Sequence, residues 1–251
     1  MSTELSLIKP EWPAPGKVTA FTTTRTGGVS GPPWNSLNLG DHVDDSAEDV
    51  RENRALLAQV SGLQERNVAW LRQVHGVDVA EITHQNINDY PEADASFTRE
   101  PGLACAILSA DCLPVVLCDQ TGSLVGAAHA GWRSLCGGVL ENLITRMEVP
   151  AHRLIAWLGP AIGPNKFEVG PEVRDAFIAY HSAANGAFVA EGAKAGHYMA
   201  DIYELARQRL QAAGVRIVSG GGLCTVTDAT RFYSYRRDGQ TGRMATLVWM
   251  R

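Results

Sequence analysis

The sequence predicts an α+β fold, a mixed β-sheet sandwich flanked by helices. Three observations lead there. The segments LACAILSA (103–110), LPVVLCD (113–119) and SLVGAAHA (123–130) are apolar at odd and even positions alike, as strands covered on both faces are. The spacers between them are short, which suits hairpins and not helical crossovers. Helical and strand patterns alternate over only part of the chain, which disfavours a doubly wound parallel sheet.

The elements follow in order. KVTAFTTTRTGGVSG (17–31) reads as a strand, with Val18, Ala20 and Thr22 alternating, that ends in a Gly-Gly turn. PPWNSLNLGDHVDD (32–45) is a loop rich in Asn, Asp and Gly. SAEDVRENRALLAQVSG (46–62) is a helix capped by Ser46, with a stripe of Ala47, Val50, Leu57 and Val60, stopped by Gly62. VAWLRQVHGVDVAEI (68–82) gives two strands or one bent strand, with His75-Gly76 at the corner. After the three apolar strands, SLCGGVLENLITRMEV (134–149) carries Leu135, Val139, Leu140, Leu143, Ile144 and Met147 at helical spacing. RLIAWLGPAIG (153–163) is a strand closed by a Gly-Pro turn. PEVRDAFIAYH (171–181) starts a helix at Pro171, and DIYELARQRLQAAG (201–214) pairs Asp201 with Glu204 as a cap and ends at Gly214. VRIVSG, RFYSYRR and MATLVWM supply the last strands. With no internal repeat, low-complexity stretch or Pro/Ser-rich linker, residues 1–251 are expected to form a single domain.

The net charge of -5, without a Lys/Arg cluster long enough to track a phosphate backbone, argues against nucleic acid as a partner. The beginning of the chain has neither the basic nor the apolar region of a secretory signal. The longest apolar stretch is broken by Asp111 and Pro114, so no membrane span is expected. Five cysteines, an odd number without a leader, point to reduced thiols and a cytoplasmic location. Cys105, Cys118, Cys136 and Cys224 are assigned to the core or its margin, without chemistry.

Cys112 is treated apart. If Gln120 and Thr121 form the tip of a hairpin between LPVVLCD and SLVGAAHA, Cys112 faces His129 and Cys118 faces Ser123. Directly opposed residues have Cβ atoms about 4.5–5.5 Å apart. A thiol beside an imidazole is an activated nucleophile or a pair of metal ligands. The bland alternative is a buried thiol next to a structural histidine. Asp111 and the Gly131-Trp132-Arg133 run tilt the balance towards function, since a plain core strand needs neither. Arg133 beside a helix start is an anion site or an ordinary solvated arginine.

The motifs QVHG (73–76), ADCLPV (110–115), HAGWR (129–133), LGP.IG (158–163), CT (224–225) and YSYRRDG.TGR (233–243), with TTRTGGVS (23–30) and SLNLGDHV (36–43), resemble the YfiH/laccase-domain family. That family is also known as multicopper polyphenol oxidases or purine nucleoside phosphorylases. The likeness runs from about residue 18 onward, and Ser134 stands where the family usually has glycine. It implies a YfiH-like fold with a zinc site whose ligands are His75, Cys112 and His129. It also implies phosphorolysis of purine nucleosides, with adenosine deaminase and methylthioadenosine phosphorylase side activities. Copper-dependent polyphenol oxidation and Cys-His amide hydrolysis of peptidoglycan precursors are the alternatives, and a metal-stabilised binding protein is a further one.

Cys and two His leave a fourth position open, as in catalytic zinc sites, where bound water ionises near neutral pH. Cys112, His129 and His75 are therefore the catalytic expectation. Arg25 and Arg133 are assigned to phosphate and Asn38 to the nucleoside. Copper is the other metal, but a copper site of this type wants a weak axial Met, which Met199 or Met244 would have to supply by folding. His42 follows the SLNLG motif and is left uncommitted.

Overall fold

Two β-sheets face each other across an apolar interior in the computed structural model, which describes residues 5–190 and 192–251. Of the span expected as one domain, residues 1–4 and 191 lie outside the described residues. The first sheet has the order β1 (Leu7–Ile8), β2 (Val18–Thr23), β14 (Met244–Met250), β6 (Ala104–Ser109), β3 (Val68–Ala69). The second runs β13 (Ile217–Gly220), β9 (Leu154–Leu158), β7 (Leu113–Asp119), β8 (Val125–Ala130), β5 (Ala95–Thr98), β4 (Val79–Glu81). A small third sheet holds β10 (Glu168–Val169), β12 (Tyr198–Ala200) and β11 (Phe188–Val189). Most pairs are antiparallel, while β13–β9, β4–β5 and β3–β6 are parallel.

Four layers explain why the central strands are apolar on both faces. Val116, Cys118, Val125, Ala127, Ile155 and Trp157 meet Cys105, Ile107, Val248 and Met250 between the sheets. Their neighbours Val115, Leu117 and Ala128 face outward into a core shared with α3 (Val139–Met147), α4 (Pro171–Tyr180) and α5 (Ile202–Ala212). On the other side Ala106, Leu108 and Leu247 pack under Leu37, Leu39 and Leu57, the last from α1 (Ala47–Ser61). Burying a Leu or Val side chain fully is worth about 1.5–3 kcal/mol, so each strand contributes twice to the core.

Several local expectations need correction. In α1, Ser46 caps and Gly62 stops the helix as read, but Ala47 and Val60 are exposed. The buried face is Val50, Asn53, Leu57 and Ala58. Asn53 earns that place by donating to Ser30, Ser36 and Asn38 and accepting from Val29, so it ties two loops to the helix. The helix expected over 134–149 is two pieces, α2 (Trp132–Gly137) and α3, because Gly138 turns left-handed at φ 102°. RFYSYRR is not a strand; it leads into a short helix, α6 (Tyr235–Asp238). The four remaining cysteines lie as expected, Cys105 and Cys118 in the core and the partly buried Cys136 and Cys224 at its margin.

The register of the β7–β8 hairpin is also displaced: Cys118 pairs with Val125 and Pro114 with His129. The tip is longer than two residues because the Asp119 carboxylate accepts the N–H groups of Thr121 (3.0 Å), Ser123 (2.6 Å) and Leu124 (2.9 Å), and the Thr121 hydroxyl. The displacement is even, so every side chain keeps its face. No helix of the described residues is long and apolar enough to cross a membrane.

Burial opposes ionisation of Asp119, but these hydrogen bonds outweigh it and hold its carboxyl below the usual value. Its contribution is therefore complete above the ordinary carboxylate value and lost as pH falls through the lowered one. Asp119→Ala is expected to cost about 1–3 kcal/mol in urea unfolding at pH 7, with the gap to the parent narrowing in acid. A gap that stays constant into acid contradicts this account.

Candidate metal centre

At one end of the gap between the large sheets, three side chains from separate segments converge. His75 comes from the connection between β3 and β4, Cys112 from the crossing between β6 and β7, and His129 from β8. Their ligand atoms lie within 4.8 Å of one another. Cys112 Sγ is 3.8 Å from His75 Nε2, and the two imidazoles sit edge to face with centroids 4.8 Å apart. His129 is buried, Cys112 partly buried and His75 exposed, so the cluster opens to one side.

Cys112 does not oppose His129 directly, as the sequence register had it. The thiol lies against Gly131, where a Cβ would come within 2.8 Å of Sγ. The glycine of HAGWR thus makes the room that the thiol occupies.

Two carboxylates hold the convergence. Asp94, fully buried, accepts the N–H groups of Val74 (3.1 Å), His75 (3.0 Å) and Gly76 (2.6 Å). It also meets His129 Nδ1 at 2.8 Å, and its carbonyl accepts the His129 N–H at 2.7 Å. The corner at His75, with φ 60°, wraps a backbone nest around this anion. With Nδ1 engaged, His129 presents Nε2 to the cluster, the arrangement expected behind a metal-bound histidine. Asp111, at φ 98°, carries the crossing that sets Cys112. Its carboxylate accepts from Thr225 Oγ1 (2.5 Å), Ser234 Oγ (3.1 Å) and Arg236 N (2.7 Å), and its carbonyl from Ile162 N (2.9 Å). The LGP.IG, CT and YSYRR motifs meet on this one residue.

Burial alone would raise the Cys112 thiol, but the positive charge of His129 and hydrogen bonds to both histidines bring it down to about 6. Burial likewise works against the His129 cation, yet the thiolate and Asp94 push it up to about 9. A thiolate and two imidazoles, one backed by a carboxylate, form a donor set that fits zinc.

The cluster lies on the wall of a cavity of about 290 Å³. Arg243, Tyr235, Ser109 and His42 also line it, and none of the first three was singled out from the sequence. Ser109 is buried, and its hydroxyl has no partner among the described residues. Gln73 fixes the wall by giving and accepting a hydrogen bond with the Leu108 backbone (2.9 and 2.8 Å).

Arg25, Asn38 and Arg133 are not among the lining residues. Arg25 donates to the carbonyls of Asn35 and Ala229 (3.2 Å each) over the Tyr233 ring. Asn38, fully buried, spends its amide on Gly40, Asp45 and the N–H of Arg243, so it positions a cavity residue from behind. Arg133 is exposed and lies over Trp132. Met199 and Met244 do not line the cavity either; Met244 Sδ accepts the Tyr233 N–H at 3.1 Å. Tyr235 and Arg243 sit inside a motif the sequence offered, whereas Asp94 is a lone carboxylate before a short strand and carries no local signal.

The family model described as multi-copper polyphenol oxidoreductase laccase matches residues 19–251. A Pseudomonas aeruginosa protein named as a purine nucleoside phosphorylase is 54% identical over 97% of this chain and 98% of its own length. The Escherichia coli purine nucleoside phosphorylase YfiH is 50% identical over 97% of this chain and 98% of its own. A crystal structure of a Neisseria meningitidis protein superposes with a TM-score of 0.92 at 48% identity, covering 97% and 98% of the two chains.

Asp94→Asn removes an anion the cluster depends on, and zinc affinity is expected to fall about 10–100-fold in competition with a chromogenic chelator. Gly131→Ala should weaken binding in the same assay by displacing the thiol. Parent-like affinity in both variants would show that neither residue shapes the centre.

Proposed function

The chain belongs to the multi-copper polyphenol oxidoreductase laccase family, and within it we propose that the protein is a zinc-dependent purine nucleoside phosphorylase. The observation that carries this is a His-Cys-His cluster opening onto a cavity that also presents an arginine, in a chain whose curated relatives are named for that activity. Residues 1–251 act as a single domain, which the placement of β14 between β2 and β6 supports. The five free cysteines support a cytoplasmic setting.

Phosphorolysis needs phosphate held near the anomeric carbon and relief of the charge that gathers on the departing base. Arg243 is the arginine lining the cavity, so the phosphate role expected of Arg25 and Arg133 passes to it. Ser109 borders the same cavity with its hydroxyl buried and unpartnered among the described residues, which makes it the candidate for the nucleoside role expected of Asn38. His75, Cys112 and His129 would hold zinc, which when bound supplies a Lewis acid with one position open to solvent or substrate. Adenosine deamination and methylthioadenosine phosphorolysis are side activities of the same pocket.

Copper-dependent oxidation of polyphenols has less support. Among the described residues one cluster of His, Cys, Asp and Glu stands at metal-binding distances, and no thioether lines its cavity. Amide hydrolysis is favoured by one feature, the Cys112–His129–Asp94 line of thiolate, imidazole and orienting carboxylate.

The test combines a metal count with product analysis on one preparation made without added metal. Zinc near one ion per chain, and phosphate-dependent release of free base and ribose 1-phosphate from inosine or adenosine, are expected. Cys112→Ala should lose both metal and turnover. Arg243→Ala should keep the metal and raise the KM for phosphate roughly 10–100-fold, the worth of a charge-assisted hydrogen bond. Base release that ignores phosphate, or turnover by metal-free protein, overturns the proposal.

A further inference from the structure

The phosphorylase reaction expels a purine, and the departing base leaves far more readily when a proton reaches it as the glycosidic bond breaks. The cavity holds few groups that can deliver one. His75, Cys112 and His129 are the ligand cluster. Gln73 is tied to the Leu108 backbone by both amide atoms, an arginine such as Arg243 keeps its proton, and the phenol and alcohol hydroxyls that Tyr235 and Ser109 bring to the cavity are of a type far less acidic than an imidazolium. His42 lines the same cavity without belonging to the cluster. Histidine is the side chain that gives and takes a proton near neutral pH.

His42 also has a carboxylate neighbour. Its Nδ1 lies 3.5 Å from Asp41 Oδ1, so the other ring nitrogen, Nε2, is the one left to serve a ligand in the cavity that His42 lines. Asp41 is fixed in turn by the Tyr90 hydroxyl, 2.9 and 3.0 Å from its two oxygens, and by Arg54 at 3.2 Å. The adjacent His42 imidazole, then Arg54 and Tyr90, outweigh burial and keep the Asp41 carboxyl far below the usual carboxylate range. A permanently ionised carboxylate behind an imidazole is the orienting device of acid–base sites.

We propose that His42 is a further catalytic residue, the acid that protonates purine N7 as the base departs, with Asp41 as its positioning residue. The inference rests on the phosphorylase reading above. A phosphate oxygen forms a bond to C1′, and the C1′–N9 bond breaks with its electron pair passing into the purine. The proton on Nε2 moves to N7. Ribose 1-phosphate and neutral purine leave, and His42 regains a proton from solvent.

The test compares inosine with 7-methylinosine, whose base departs without needing a proton, in zinc-loaded full-length protein at saturating phosphate. In His42→Gln, kcat for inosine should fall about 100-fold or more. Zinc content should stay at the parent level and kcat for 7-methylinosine should barely change. Asp41→Asn should give a smaller loss with the same selectivity, and added imidazole should restore inosine turnover to His42→Gly. Equal losses on both nucleosides, or no loss on either, overturn the role of His42, as does failure of imidazole rescue. Parent protein that cleaves neither nucleoside in phosphate overturns the phosphorylase reading itself, a separate outcome.

Discussion

A buried negative charge organises this molecule. Taking the Asp94 carboxylate out of water is costly unless donors replace the lost solvent, and here four do. Three belong to the turn that carries His75 and the fourth to His129, so the two imidazoles cannot be placed independently. The same residue sits where β5 begins, and its main chain bonds both Asp78 and His129. Satisfying the anion, closing the edge of the second sheet and aiming two ligands are therefore one structural event.

Asp111 does for the thiol what Asp94 does for the imidazoles. The chain must leave one sheet after β6 and enter the other at β7, and it turns at a residue with positive φ. Four donors from three distant segments fix that turn. Reactive side chains stand at the edges of the most buried strands because only there does a rigid sandwich end in a gap that side chains from both sheets can line. Rigidity comes from the layers, and access comes from the open end.

The periodicity of the sequence made the strands and the layered architecture legible, because apolarity on both faces has few other causes. The convergence of His75, Cys112 and His129 was legible through motifs, not through the hairpin. The tip of that hairpin is built by the Asp119 side chain, which turn propensities do not capture, yet an even displacement left the faces unchanged. The break at Gly138 was hidden because α2 and α3 continue the same apolar stripe across it. The sequence offers Arg25 and Asn38 on residue chemistry, and Arg133 on that and on its place beside a helix start. Whether an arginine points into a cavity is decided by carbonyls and rings remote in sequence, as Asn35, Ala229 and Tyr233 show for Arg25. Asp94 had no signature because its four partners are scattered over two other segments.

The position of β14 has a consequence for how the protein is made. This strand lies between β2 and β6, hydrogen-bonded to both along most of its length. A ribosome delivers it long after either neighbour, so through most of synthesis the first sheet exists as two separated halves with bare inner edges. Such edges invite pairing with other chains. Nascent protein stalled or truncated before residue 244 is thus a natural client for chaperones, and the pocket wall that Arg243 completes forms only once that final seam has been zipped.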